Sequence, residues 1–378
     1  MPKIVRLDLT PLEFALAPGR LYGTARGLNR LRSCGLVTLE TDDGVVGIGD
    51  AAGPLGPMRE YLALAAPFFI GSGLFDFEIT ASQVTNRLYH FGVQNHLTAC
   101  LGGINVAVLD AIGKTLRVPA HDLLGGRVAE RLPCYATTGY FADDPASGIE
   151  AQLASLPPGV FAGVKIKIGA GPASDLERVR IARRVLGDDM LLMVDINGNY
   201  TVDVALESLR KIEPYNIHWC EEPLPPTDLR GYAELRARAP VRLAAGEAHY
   251  TVHDFKRLVD ARAVDILQPS VTTGGGFGQA KAVALLAQMN NLRVSPPCWG
   301  SAIALAAAVH FAASLPVWPH TDHVPYPVLV EYDVSENPLR DRLATNPVRP
   351  DKGGLPVPTG PGLGIAIDRE AVAAHRRD

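Results

Sequence analysis

Apolar and polar positions follow two rhythms along this chain. In the second half, short apolar runs rich in β-branched residues end in charge. They read V-K-I-K-I-G at 164–169, L-L-M-V-D-I-N at 191–197, I-H-W-C-E-E-P at 217–223 and L-A-A-G-E at 243–247. Helix-like periodicity fills the gaps, at 173–185, 202–212, 229–238, 252–260, 278–289 and 302–315, with Thr201 suited to cap the second of these. Apolar runs alternating with helices mark βαβ units and a parallel sheet. The pattern predicts strands at 132–138, 164–169, 191–197, 217–223, 242–248, 263–270, 292–298 and 328–333. Residues 316–327 are too few and too proline-rich for another helix with its loops, so eight strands come with seven helices.

The first 126 residues are patterned differently. Residues 4–10 alternate like a strand, and 35–41 with 45–48 flank a D-D-G turn, the signature of a hairpin. Helical stretches follow at 58–69, 77–88 and 103–116. This is an α+β unit, distinct from the βα alternation after it. The expected division is 1–126, completed by the tail 345–378, and 127–344.

Composition narrows the partners. A net charge of −4 offers no basic footprint for nucleic acid, and the 47% apolar and 20% charged content is that of an ordinary globular protein. Five cysteines at wide, unpatterned spacing point to reduced thiols and a cytoplasmic setting. Charges interrupt residues 1–18, so no signal peptide is expected, nor is a membrane span.

The charges at the strand ends carry the chemistry. Side chains alternate along a strand, so Lys165 and Lys167 share one side, as do Trp219 and Glu221, with Cys220 and Glu222 opposite. The inward carboxylate is therefore expected to be Glu221. Asp195, Glu221 and Glu247 close successive strands at equal intervals (221−195 = 247−221 = 26). Three converging carboxylates repel unless a cation lies among them, and oxygen-only ligands suit a hard divalent ion, Mg²⁺. Two inward lysines beside such an ion are expected to be pulled down towards the range of a general base. The structural alternative is a lysine–carboxylate network without metal. Asn197 suits a ligand hydrogen bond or a turn.

K-x-K, D-x-N, W-C-E-E-P and G-E in this order resemble the enolase superfamily, in its mandelate racemase-like branch. D-I-L-Q-P with G-G-G-F (265–277) and E-Y-D with N-P-L-R (331–340) are similar, more weakly, to galactarolactone cycloisomerases and sugar-acid dehydratases. The resemblance implies a (β/α)7β TIM-like barrel with an α+β capping domain. It implies one Mg²⁺ per subunit on Asp195, Glu221 and Glu247, Lys167 as the base, and Lys165 holding the substrate carboxylate. Glu331 would then face the enediolate oxygen. The polar loop with Arg20, Tyr22, Arg26, Arg30 and Arg32 would close over the mouth. Tyr22 and Arg26, with Asn197, His249 and Cys298, are candidate substrate contacts. Relatives of this kind are dimers or octamers, so a homo-oligomer is expected.

One wall departs from that pattern. Where the branch places an Asp and a His, this chain has Ser270 and Pro297, neither able to move a proton near neutrality. The expected reaction is α-proton removal from a hydroxylated carboxylate, an acid sugar or its lactone, followed by β-elimination, as in a dehydratase or cycloisomerase. The alternatives are a racemase or epimerase with another second acid, and a non-catalytic acid-binding relative. His320 and His323 lack further soft ligands and are not expected to bind zinc.

Overall fold

The computed structural model describes residues 1–91, 95–317 and 327–377; His320 and His323 lie outside them. Strands Ile4–Ala15, Leu31–Thr41 and Val46–Ala51 form an antiparallel sheet in that order, and Glu40 pairs with Val46 across the foreseen turn. Helices Leu55–Phe69 and His96–Leu116 pack against it, and Phe77–Leu88 packs against those two helices. The last begins seven residues earlier than its periodicity indicated, because the Asn95 side chain caps it by accepting from Leu97 N at 3.0 Å. A Cβ on Gly49 would lie 2.0 Å from the Gly103 carbonyl oxygen, so helix and strand backbones touch. By length and composition this helix is apolar enough to cross a membrane, yet 89% of its apolar window is buried within the protein, as befits a core helix.

The parallel sheet has eight strands: Cys134–Thr138, Gly163–Lys167, Leu191–Asp195, Ile217–Glu221, Leu243–Ala245, Ile266–Leu267, Arg293–Val294 and Val330–Asp333. They are called strands one to eight below. Each pairs with the next as far as strand seven, and strand eight pairs with strand one (Val330 with Cys134). Strands seven and eight meet outside the ladder, where Ser295 Oγ donates to the Leu329 carbonyl at 2.7 Å. Among the described residues seven helices link the eight strands, Ile149–Ala154 being one that the sequence pattern did not foresee. Thr201 does begin its helix, but its side chain makes no capping hydrogen bond.

The barrel interior is layered. Tyr135, Met193, Trp219, Ala244 and Ile266, from five strands, and Leu329, just before strand eight, form a buried apolar plug. Above it, at the carboxyl ends, the inward positions turn polar.

The first unit is seated on that end. The cationic loop is not irregular: Tyr22–Thr24 pairs with Gly27–Asn29 and, on its other edge, with Phe141–Ala142 just past strand one. The tail returns as well. Leu363 N donates to Asp110 Oδ1 at 2.8 Å, while Asp110 Oδ2 accepts from Ile48 N at 3.0 Å and from Lys114 Nζ at 2.6 Å. One buried carboxylate thus ties helix, sheet and tail together.

Candidate active site

Strand register builds the first wall. Lys167 pairs with Asp195, and Asp195 with Glu221, so the three charged ends lie side by side. Lys165 is 1% exposed and donates to Glu221 Oε1; it also lies 3.0 Å from Glu331 Oε1 and 3.7 Å from Asp195 Oδ2. Lys167 donates to Asp195 Oδ2 at 2.5 Å. Gln268, fully buried just past strand six, donates to Glu221 Oε2 at 2.6 Å, and Trp219 Nε1 reaches the same oxygen at 3.3 Å. Glu331 accepts from Thr137 Oγ1 and, at 2.8 Å, from the Cys298 backbone N–H. Alternation placed the lysines, Asp195 and Glu221 on one side, and the structure brings them together.

Glu222 departs from the expectation. Strand alternation puts it on the side opposite Glu221, but strand four ends at Glu221 and Glu222 takes a left-handed φ of +40°. It is 6% exposed, and Oε1 is buried without a partner. Burial, and then the neighbouring Glu247, Asp195 and Glu221 carboxylates, push its carboxyl well above the usual range. It is a site residue that period-two reasoning misses, since that reasoning stops where the strand does. Glu247 likewise follows a break: Gly246, at φ +157°, brings the strand-five backbone against that of Gln268, where a Cβ would lie 2.4 Å from the carbonyl oxygen.

The electrostatics are lopsided. Among the described residues, Asp195, Glu221, Glu222, Glu247 and Glu331 gather around Lys165 and Lys167, five carboxylates against two ammonium groups. Burial, outweighing Lys165 and helped by Asp195, pushes Glu221 up to about 8. Burial, then Asp195, also raises Glu247. Burial draws the Lys167 ammonium down, but Asp195 overrides it and holds the group above the ordinary lysine value. The expectation of a lowered lysine is therefore not met while Asp195 is free to pair with it.

The remaining candidates scatter. Asn197, at φ +54°, donates from Nδ2 to Glu247 Oε1 at 3.4 Å, and its Oδ1 is buried and unpartnered. Arg26 Nη1 donates to the Asn197 and Gly198 carbonyls, both at 3.2 Å, which docks the cap on the strand-three turn. Tyr22 is spent on the Glu336 carbonyl at 3.1 Å and on the Tyr140 ring, 5.0 Å away. His249 is 6% exposed; its ring lies 6.0 Å from that of Phe255, its Nδ1 is unpartnered, and burial lowers its pKa.

On the second wall, strands six to eight, the foreseen acid positions at the ends of strands six and seven hold Ser270 and Pro297. Ser270 Oγ lies 3.4 Å from Thr272 Oγ1, Pro297 is buried, and strand eight brings the buried carboxylates Glu331 and Asp333. Burial pushes the Cys298 thiol up to about 12.

Known proteins resemble this chain over nearly its whole length. Residues 149–371 match the family described as Enolase C-terminal domain-like, and residues 18–125 match the Mandelate racemase / muconate lactonizing enzyme N-terminal domain. The chain belongs to the mandelate racemase-like branch of the enolase superfamily. Among relatives of this superfamily member, D-galactarolactone cycloisomerase of Agrobacterium fabrum is 34% identical over 90% of both chains. The 3,6-anhydro-D-galactonate cycloisomerase of Zobellia galactanivorans superimposes with a TM-score of 0.89 at 30% identity, covering 100% of both chains. A mandelate racemase/muconate lactonizing protein of Paracoccus denitrificans, complexed with magnesium, superimposes at 0.84 and 26% identity over 100% of this chain and 99% of that one.

The superfamily's magnesium can be tested against these residues. Among those described, no three His, Cys, Asp or Glu side chains stand close enough, as they lie, to hold a metal ion. The lysines occupy the Asp195 and Glu221 oxygens instead. The donor chemistry nonetheless fits a hard divalent cation. The donors are all oxygen, the carboxylates outnumber the lysines, and Glu222 Oε1 and Asn197 Oδ1 are buried without partners.

Proposed function

We propose that this protein removes the α-proton of a hydroxylated carboxylate, an acid sugar or its lactone, and expels a β-substituent. The observation that carries the reading is the pair of buried lysines alternating with carboxylates at the ends of strands two to four. Asp195, Glu221 and Glu247 would hold one Mg²⁺ per subunit, which supplies positive charge to the substrate carboxylate and to the excess negative charge around it. With Asp195 so engaged, Lys167 loses the partner that raises it, and burial draws it towards a neutral amine able to accept the proton. Lys165, pinned between Glu221 and Glu331, orients the substrate carboxylate.

A racemase needs an acid on each face of the α-carbon, and the second wall offers Ser270, Pro297 and a thiol far from neutrality. One-base elimination is therefore favoured over epimerisation. We further infer a cytoplasmic homo-oligomer acting on small-molecule carboxylates; five buried, unpaired cysteines support a reducing compartment.

The test is α-proton exchange. In D₂O with Mg²⁺, a panel of acid sugars and lactones is expected to contain at least one that exchanges its α-proton and yields a keto acid, with loss on chelation and recovery on adding Mg²⁺. A panel inert with Mg²⁺ present sinks the proposal.

A further inference from the structure

Glu222 has no task in the reaction above, yet its backbone is held firmly in place. Its N–H donates to the Ala244 carbonyl of strand five at 2.9 Å, and its carbonyl accepts from Gly198 N, in the strand-three turn, at 2.6 Å. Between those bonds it keeps the left-handed φ of +40°, which a residue other than glycine retains only where its surroundings impose it. The turn brings the carboxyl to the charged end of the barrel. It is 6% exposed, and of the charges around it Glu247 acts on it most strongly, then Asp195 and Glu221, with Lys167 opposing them less.

A purely structural role does not account for it. A buried carboxylate that serves a salt bridge has its cation beside it, and one that only fills space is better replaced by an apolar side chain of its size. Among the described residues no donor meets Glu222 Oε1. A second acceptor is in the same condition: Asn197 Nδ2 lies 3.4 Å from Glu247 Oε1, and Asn197 Oδ1 is buried without a partner. Two orphaned acceptors around a carboxylate of the cation site call for donors. A substrate hydroxyl has one hydrogen to give, whereas each of the several waters that a small divalent ion keeps has two.

We propose, resting on the cation site above, that Glu222 is a positioning residue of that site and not a fourth carboxylate on the ion. Its Oε1, together with Asn197 Oδ1, accepts hydrogen bonds from water that the ion retains, and its negative charge strengthens the hold of Asp195, Glu221 and Glu247 on a divalent cation. Groups that orient what a metal carries, without touching the metal, contribute to its affinity in this way. Glu222 thus exchanges no proton with the substrate and makes no bond to it; it acts through the ion's water.

Metal binding to the full chain, with no substrate present, decides this. Mg²⁺ is titrated by calorimetry, and Mn²⁺ by the EPR signal of the free ion, into metal-free wild-type protein, Glu222→Gln and Glu222→Asp. Gln keeps the volume and loses the charge, whereas Asp keeps the charge on a shorter arm. Glu222→Gln is expected to weaken both ions about 10–100-fold, and Glu222→Asp clearly less. The urea midpoint of metal-free Glu222→Gln should hold or rise, because a carboxylate leaves a cluster of like charges. Wild-type affinity in Glu222→Gln overturns the inference, and a loss beyond about 1,000-fold contradicts it by making Glu222 a direct ligand. Equal losses in Gln and Asp with lowered midpoints would mark a packing residue and overturn it too. A wild-type protein that binds neither ion removes the cation site itself, and the proposed reaction with it.

Discussion

The two walls of the barrel mouth are built from the same kind of strand end but carry opposite content. Strands two to five present two lysines among carboxylates that outnumber them, while strands six and seven end in Gln268, Ser270, Pro297 and a thiol pushed up to about 12, and the Asp333 of strand eight is held by Arg32 and Arg340. On the proposed reading, proton traffic belongs to one face, and the other supplies shape and the buried charges of Arg32 and Arg340. A fold shared with racemases does not carry their two-base chemistry once one wall has lost its acids.

Several substitutions would break or sharpen that contrast. Lys167→Ala should remove the proposed base, lowering α-proton exchange about 10³-fold, read by NMR in D₂O. An intact rate would move the base elsewhere. Asp333→Ala attacks the other face, where Asp333 is the shared partner of Arg32 at 2.9 Å and Arg340 at 3.5 Å. Stranding those buried cations should cost about 3–5 kcal/mol, seen as a lower urea midpoint at constant m.

Acid should loosen the cap on the second wall's side. His310, on helix Ala302–Ala313 after strand seven, accepts from His121 N at 3.2 Å through Nδ1, which lies 3.1 Å from His121 Nδ1; its Nε2 is 3.1 Å from the Leu363 carbonyl oxygen. Burial lowers its pKa from 6.5 to about 4. The unfolded chain then binds the extra proton between those values, so the contribution of His310 to stability should fall as pH drops through that window, by up to about 3 kcal/mol, and stay level above it. His310→Gln should flatten the dependence of the urea midpoint on pH. The smallest effect is expected from Cys298→Ser. With its thiol pushed up to about 12, it should leave the pH–rate profile unmoved, and a lost limb near neutrality would reveal an acid on the second wall.

Much of this was legible in the sequence because it depends on spacing. K-x-K and the 26-residue interval between carboxylates translate directly into inward positions on neighbouring strands, and the βα rhythm fixes the barrel. What stayed hidden depends on backbone torsion and on choice among equals. Glu222 joins the site through a left-handed residue beyond the strand, and Gly246 shortens strand five by a close backbone contact. Five polar cap residues looked alike until the cap sheet buried Arg32 and docked Arg26 on the strand-three turn. Helix Ile149–Ala154 is too short for its periodicity to stand out.

The central claim, that protons enter and leave on one face only, is tested most directly by the stereochemistry of exchange. A hydroxy acid that exchanges with wild-type protein and Mg²⁺ in D₂O should be recovered deuterated at the α-carbon with its configuration retained and no epimer formed. A deuterated epimer growing in alongside it would place a second acid on the opposite wall and contradict the account.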